Sequence, residues 1–212
     1  MERAVSCEKC QDTGWVSTAN RKGAVRCEHL KVCKLVEYGH EYQKAAALNQ
    51  LEGTVAAFAE QFTSRWGCGA GALCLGPVGT GKTHLASAIA NRVMQFDCRL
   101  VVFAVVPALL WTLQERYRFQ SPTDNLEEKL LTADLLVLDD IGAEKPTEWT
   151  EQVLYRVVGD RYARRAPIVA TANCSIETLT ARVGIRTVDR LLGFCDGKPF
   201  VLKGNSRRWQ KR

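Results

Sequence analysis

Five short runs of the chain are apolar almost throughout rather than at alternate positions: 72–75, 100–104, 135–139, 168–171 and 200–202. Unbroken apolar runs of this length are the mark of strands buried on both faces, as in a parallel sheet covered by helices. Between them lie stretches with helical spacing, and strands that alternate with helices predict an α/β domain from about residue 67 onward. Before it, Leu48, Leu51, Val55, Phe58 and Phe62 recur at steps of three and four, which predicts one apolar helix face over 41–66. Gly53 is a candidate break in that helix. The first 40 residues show neither period and carry four of the nine cysteines. Three regions follow: a cysteine-rich module at 1–40, a helical linker with the start of the next domain at 41–66, and the α/β domain at 67–212.

The turn between the first run and the next helix reads Gly76-Pro77-Val78-Gly79-Thr80-Gly81-Lys82-Thr83, with His84 after it. This is G-x-x-x-x-G-K-[ST] in its required place, after a strand and opening a helix over 83–94. Glycines let successive backbone N–H groups turn inward on phosphate oxygens at a helix N-terminus, where the dipole favours negative charge. Lys82 is placed to reach the β- and γ-phosphates and the Thr83 hydroxyl to ligate magnesium, so the chain is expected to bind ATP with Mg2+.

Ligands on parallel sheets sit at the carboxyl ends of the strands. The run 135–139 ends in Asp139, followed by Asp140. After a phosphate loop the first acid holds magnesium and the next orients or deprotonates the attacking water. Asp140 is one methylene shorter than glutamate, which leaves its reach to that water open. The fourth run leads to Thr171-Ala172-Asn173, where the Asn173 amide can serve the γ-phosphate or the water, or simply fill a turn. Further on, Arg186 and Arg190 share a helix face with Asp189 beside them. An arginine given to a neighbouring subunit's γ-phosphate stabilises transition-state charge.

With these motifs in hand, residues 52–208, about three-quarters of the chain, resemble the DnaC/DnaI-type replicative helicase loaders and the related IstB transposition ATPases of the AAA+ superfamily. The carrying stretches are 76–83, Asp139-Asp140-Ile141-Gly142-Ala143-Glu144-Lys145, Thr171-Ala172-Asn173 and 184–191. The resemblance implies a P-loop NTPase with a five-stranded parallel sheet. It implies Walker B acids at Asp139 and Asp140, a sensor 1 residue at Asn173, and an arginine finger at Arg190 with Arg186 as its companion. Ser206 to Arg208 are similar to the family's closing Ser-x-Arg. Only 22 residues follow Arg190, too few for the C-terminal lid of typical AAA+ proteins, a lack these loaders share. Between the phosphate loop and Asp139, an apolar helix runs into Gln114-Glu115-Arg116-Tyr117-Arg118-Phe119. Alternating cations and rings suit single-stranded DNA, and the resemblance puts its contact at Tyr117 and Arg118. Packing of Tyr117 and Phe119 into the core is the competing expectation.

Near the start, Cys7-Glu8-Lys9-Cys10 and Cys27-Glu28-His29 offer three thiols and an imidazole for tetrahedral zinc, with Cys33 able to replace His29. A redox C-x-x-C belongs on a βαβ unit, which this segment lacks. Several phage and bacterial loaders have a similar module, Cys-x-x-Cys-x-Asp-Thr-Gly-Trp and then Cys-x-Cys. That resemblance favours His29, and implies that the module contacts the helicase. The remaining cysteines (Cys68, Cys74, Cys98, Cys174, Cys195) are scattered singly and read as small buried hydrophobes.

Composition narrows the rest. With 212 residues, 46% hydrophobic and 25% charged, the chain has room for one core and a small module. The longest apolar stretch, 100–113, contains Pro107 and is too short to span a membrane, and Met1-Glu2-Arg3 begins no secretory signal, so a cytoplasmic location without membrane contact is expected. The net charge of +6 gathers at Arg161, Arg164 and Arg165 and at Arg207, Arg208, Lys211 and Arg212. These patches suit either a polyanion or plain solvent. The reading is a self-associating AAA+ ATPase that loads a hexameric replicative helicase in DNA replication and binds single-stranded DNA. An IstB-like transposition helper is the alternative within the family. A small-molecule P-loop kinase, or a module that holds ATP and hardly hydrolyses it, stand outside it.

Overall fold

The computed structural model describes residues 15–17, 24–26, 35–38, 51, 53–65, 69–97, 100–119 and 126–206. Two short strands, β1 (Trp15–Ser17) and β2 (Ala24–Arg26), pair antiparallel. The remaining strands are β3 (Leu35–Tyr38), β4 (Ala72–Leu75), β5 (Val101–Val105), β6 (Leu135–Asp139), β7 (Ile168–Ala172) and β8 (Phe200–Val201). They form one parallel sheet in the order β3-β5-β6-β7-β4-β8. The five strands expected from the apolar runs are all present, and β3 adds a sixth at the edge. Its four residues come from the segment assigned to the cysteine-rich module, and they lie along β5 with Leu35 opposite Val101. A four-residue strand at a sheet edge has only one neighbour to pair with and leaves little pattern in the sequence.

Helices cover both faces, which explains the unbroken apolar runs. Ala72, Cys74, Val101, Phe103, Leu135, Val137 and Val169 pack with α1 (Gly53–Arg65) and α2 (Lys82–Asp97). Their alternates Leu73, Leu75, Val102, Ala104, Leu136, Leu138, Ile168 and Ala170 pack on the other face. That face is covered by α3 (Val106–Phe119), α4 (Leu126–Thr132), α5 (Glu148–Ala163), α6 (Ile176–Val183) and α7 (Ile185–Phe194). Each leucine so enclosed contributes about 2 kcal/mol relative to exposure. Helix α1 begins at the glycine where a break was expected, and Phe58 stacks on Phe200 of β8, ring centroids 4.2 Å apart. The upstream half of that expected helix lies outside the described residues.

Arg161 departs from expectation. Assigned to a basic surface patch, it is instead fully buried, with Nη1 donating to the carbonyls of Leu130 and Ala133 (both 2.9 Å) and Nη2 to that of Pro167 (2.7 Å). Burial pushes its pKa down to about 10, still far above neutral, so it remains a cation. The reason is periodicity: Leu154, Val157, Val158 and Arg161 share the buried face of α5. One guanidinium thereby ties the end of α4, the approach to β6 and the approach to β7 into one frame. Arg164 and Arg165 stay exposed, while Arg207, Arg208, Lys211 and Arg212 lie outside the described residues. Among the described residues no helix is long and apolar enough to cross a membrane.

Replacing Arg161 with alanine strands three buried carbonyls. The expected loss is about 3 kcal/mol of unfolding free energy, measured by urea denaturation. Lysine at this position recovers only part of it, because one ammonium cannot span carbonyls on three segments.

Candidate functional site

Chain path comes first. From the end of β4 the backbone turns through residues 76–81 and enters α2 at Lys82, with Leu85 N–H donating to Gly81 O (2.9 Å) as the first helical bond. Two glycines in this turn have no substitute. A Cβ on Gly76 (φ 148°) would lie 2.3 Å from Leu202 O, and one on Gly79 (φ 83°) 2.1 Å from Ser206 Oγ. The loop is therefore pressed against the chain that follows β8, which brings Ser206 to the phosphate loop. The Thr80 hydroxyl donates to Pro77 O (2.9 Å), and the Lys82 ammonium donates to Gly76 O (2.9 Å) and Pro77 O (2.7 Å). His84 lies half-buried in the first turn of α2, and Val78 is exposed at the loop tip.

Strand parity supplies the acids. Leu135 and Val137 face α2, so Asp139 does too, and it is buried at the end of β6. There Thr83 Oγ1, from the first turn of α2, donates to Asp139 Oδ2 at 3.0 Å, with Oδ1 at 3.2 Å. One strand over, Val169 faces α2 and so does Thr171, whose hydroxyl donates to Asp139 Oδ1 (2.6 Å). The same Thr171 oxygen accepts from the Asp140 N–H (3.0 Å). Asp140 sits in the left-handed region (φ 59°), a conformation that aspartate tolerates better than most residues. Its Oδ1 accepts from Asn173 Nδ2, just past β7. Lys82, Thr83, Asp139, Asp140 and Asn173 thus converge at the carboxyl ends of β4, β6 and β7, as their spacing in the sequence predicts.

The Thr83 hydroxyl and the Asp139 carboxylate are the hard oxygen donors that Mg2+ takes, and that ion is usually held by one or two protein oxygens together with substrate phosphates and water. The donor set fits magnesium. No group of three or more His, Cys, Asp or Glu that could cage a metal occurs among the described residues. Beyond the acids, Gly142 N–H donates to Glu144 Oε2 (2.9 Å) and Arg182 Nη1 donates to Gly142 O (2.6 Å). Burial raises the Glu144 carboxyl above its ordinary pKa, and the nearby Asp140 charge adds to this. Burial pushes the Cys74 thiol up to about 12 and the Cys174 thiol upward as well.

Other expected residues lie apart from this cluster. Arg190, half-buried on α7, donates from Nη2 to the Tyr155 hydroxyl on α5 (3.0 Å), and its guanidinium carbon lies 4.3 Å from that ring's centroid. Arg186 approaches the same ring at 6.0 Å. The Arg190 contact lowers the Tyr155 phenol from its ordinary pKa. Arg190 Nη1 is buried with no hydrogen-bond partner among the described residues. Tyr117 is 53% exposed and so is not a core residue. Its hydroxyl donates to Glu127 Oε1 and its ring meets Trp149 edge-on at 6.4 Å. The carboxylate of Glu127 raises the phenol's pKa. Exposed Arg118 pairs with Glu115 at 3.6 Å. The side chain of Phe119 and the zinc candidates Cys7, Cys10, Cys27, His29 and Cys33 lie outside the described residues.

Thr171 and Glu144 stand in the stretches that carry the resemblance but had no role assigned to them, and Tyr155 stands in none. For Thr171 the sequence shows its place at the end of an apolar strand, and strand order then sets it beside Asp139. For Tyr155 no comparable signal exists, because its contact with Arg190 comes from the packing of α5 against α7.

Residues 19–212 match the family described as IstB-like ATP binding protein. Over 117 residues the chain is 28% identical to the replicative helicase loader DnaC of Escherichia coli (strain K12), covering 55% of this chain and 47% of that one. It is 33% identical over 117 residues to the replicative helicase loader DnaI of Bacillus subtilis (strain 168), covering 53% and 36%. The chain thus spans about half the length, or less, of these curated relatives. The crystal structure of the DnaC helicase loader shares the fold, with a TM-score of 0.68 at 22% identity, covering 74% of this chain and 97% of that one. A phosphate loop, a magnesium-fitting Thr–Asp pair and a match over nearly the whole sequence agree: the chain belongs to the IstB-like ATP-binding family, within the AAA+ fold.

Proposed function

We propose that this protein hydrolyses ATP to load a replicative DNA helicase during DNA replication. The observation that carries the reading is the bonded set Thr83–Asp139 and Asp140–Asn173 beside the Lys82 loop. Lys82 neutralises the β- and γ-phosphates from within the loop. Thr83 and Asp139 would hold magnesium, which would supply neutralisation of phosphate charge when bound. Asp140 accepts the proton of the attacking water or orients it, and the Asn173 amide fixes the carboxylate in the direction from which water must arrive. The likeness to DnaC and DnaI supports helicase loading over the transposition role.

Self-association completes the site in this reading. Arg190, with Arg186 beside it, reaches the γ-phosphate bound to a neighbouring copy; within the single chain its guanidinium rests on Tyr155. Residues 1–40 hold zinc through Cys7, Cys10, Cys27 and His29 and meet the helicase. Tyr117 and Arg118 meet single-stranded DNA, their exposure favouring this over a core role. The protein works in the cytoplasm, where its helicase and DNA partners are.

Lys82→Ala is expected to weaken ATP binding about tenfold or more, the effect of one charge-assisted bond, read by titration with a fluorescent ATP analogue. Arg190→Ala should keep ATP binding and lower turnover by up to about a thousandfold. Mixing it with Asp139→Asn subunits should restore turnover, because intact composite sites then form between copies; no recovery refutes the shared site. Elemental analysis should find zinc, with Cys7→Ser losing it and Cys33→Ser keeping it. Pull-down of a hexameric replicative helicase with ATP should succeed with the full chain and fail without residues 1–34, a truncation that leaves β3 in the sheet.

A further inference from the structure

We infer that Thr171 is a positioning residue for ATP turnover, one hydroxyl that fixes both acids of the site. This rests on the ATP-site reading above and adds a residue to it. A threonine hydroxyl has one hydrogen to donate and lone pairs to accept. Thr171 uses the hydrogen on Asp139 Oδ1 (2.6 Å) and a lone pair on the Asp140 N–H (3.0 Å). Its backbone carbonyl also takes the Ile141 N–H (2.8 Å). Three bonds from one buried residue therefore hold the turn 139–141, including the left-handed backbone at Asp140.

The division of labour at Asp139 makes the role specific. Thr83 lies nearest Oδ2 and Thr171 binds Oδ1. Thr83 lies in the first turn of α2, directly after the phosphate loop, and is the hydroxyl that a cation would recruit. Thr171 belongs to β7 inside the sheet, so its bond persists and keeps the carboxylate plane aimed at α2. Carboxylates that bind metals are oriented by such outer partners, whose loss costs about 10–100-fold in metal affinity or activity. The Asp140 bond extends the control to the second acid: without it, the N–H that anchors the left-handed turn has no side-chain acceptor, and the carboxylate joined to Asn173 loses its fixed origin.

The test uses the full chain and three variants: Thr171→Val, which replaces the hydroxyl by a methyl of similar size, Thr171→Ser, which keeps the hydroxyl, and Thr171→Cys, which keeps the size with a weak donor. Binding of a fluorescent ATP analogue is titrated without and with Mg2+, and ATP turnover and thermal unfolding are followed. T171V is expected to need about tenfold more Mg2+ or above for tight binding and to lose turnover similarly, with magnesium-free affinity unchanged. T171S is expected to stay near wild type in both. Wild-type magnesium dependence in a folded T171V overturns the inference, as does equal impairment of T171V and T171S, which would point to lost packing of the methyl. Should T171V not fold, T171C against T171S decides, with a magnesium defect in Cys and not in Ser expected and the reverse order refuting. A wild-type chain that binds no ATP removes the ATP reading itself, and this inference with it; wild-type binding with an unaltered T171V removes the inference alone.

Discussion

A carboxylate held from two sides is the contact on which the site depends. Asp139 ends a strand whose other residues are buried apolar side chains, and a buried charge there is costly unless hydrogen-bonded. Thr83 and Thr171 meet that need from α2 and β7. The first couples the acid to the helix that carries the phosphate loop, and the second couples it to the neighbouring strand. Three elements far apart in sequence are thus locked at one point, and the same bonds that satisfy the charge aim it toward the place where phosphate and cation meet.

Such a lock requires a frame that does not slide. Parallel strands give that frame by burying every side chain on one of two faces, so that a shift of one residue would exchange the two cores. Arg161 reinforces it from the outer layer by collecting carbonyls from the end of α4, the approach to β6 and the approach to β7. A buried cation is tolerable there because three carbonyls accept its hydrogen bonds and the nearby Asp134 charge favours it. β6 and β7, the two strands so tied, are the ones that deliver Asp139, Thr171 and Asn173.

In the same helical layer, α5 and α7 present a second polar arrangement. Tyr155 carries Arg190 by a hydrogen bond and by its ring face together, a combination that holds a guanidinium without neutralising it. Among the described residues Arg190 is held by Tyr155 and forms no ion pair with a carboxylate. The contrast with Arg118 is instructive, since that side chain already pairs with Glu115. Charge alone does not distinguish these arginines; the chemistry of their neighbours does.

Local sequence determined a good deal here. Unbroken apolar runs marked β4 to β7, because burial on both faces leaves few polar positions, and a shorter run marked β8 at the edge; the glycine-rich turn before Lys82 marked the phosphate loop because that composition lets its amides turn inward. Asp139, Asp140 and Asn173 were legible because ligand chemistry gathers at strand ends. Tertiary structure alone decided the rest. It set strand order, which made Thr171 the neighbour of Asp139; it added β3 at the edge; it turned Arg161 from a surface charge into an internal tie; and it gave Tyr117 a carboxylate partner and Arg190 an aromatic one. The physical reason is the same in each case: propensity and periodicity are written along the chain, whereas the partner that fixes a side chain's role comes from another element that only packing brings beside it.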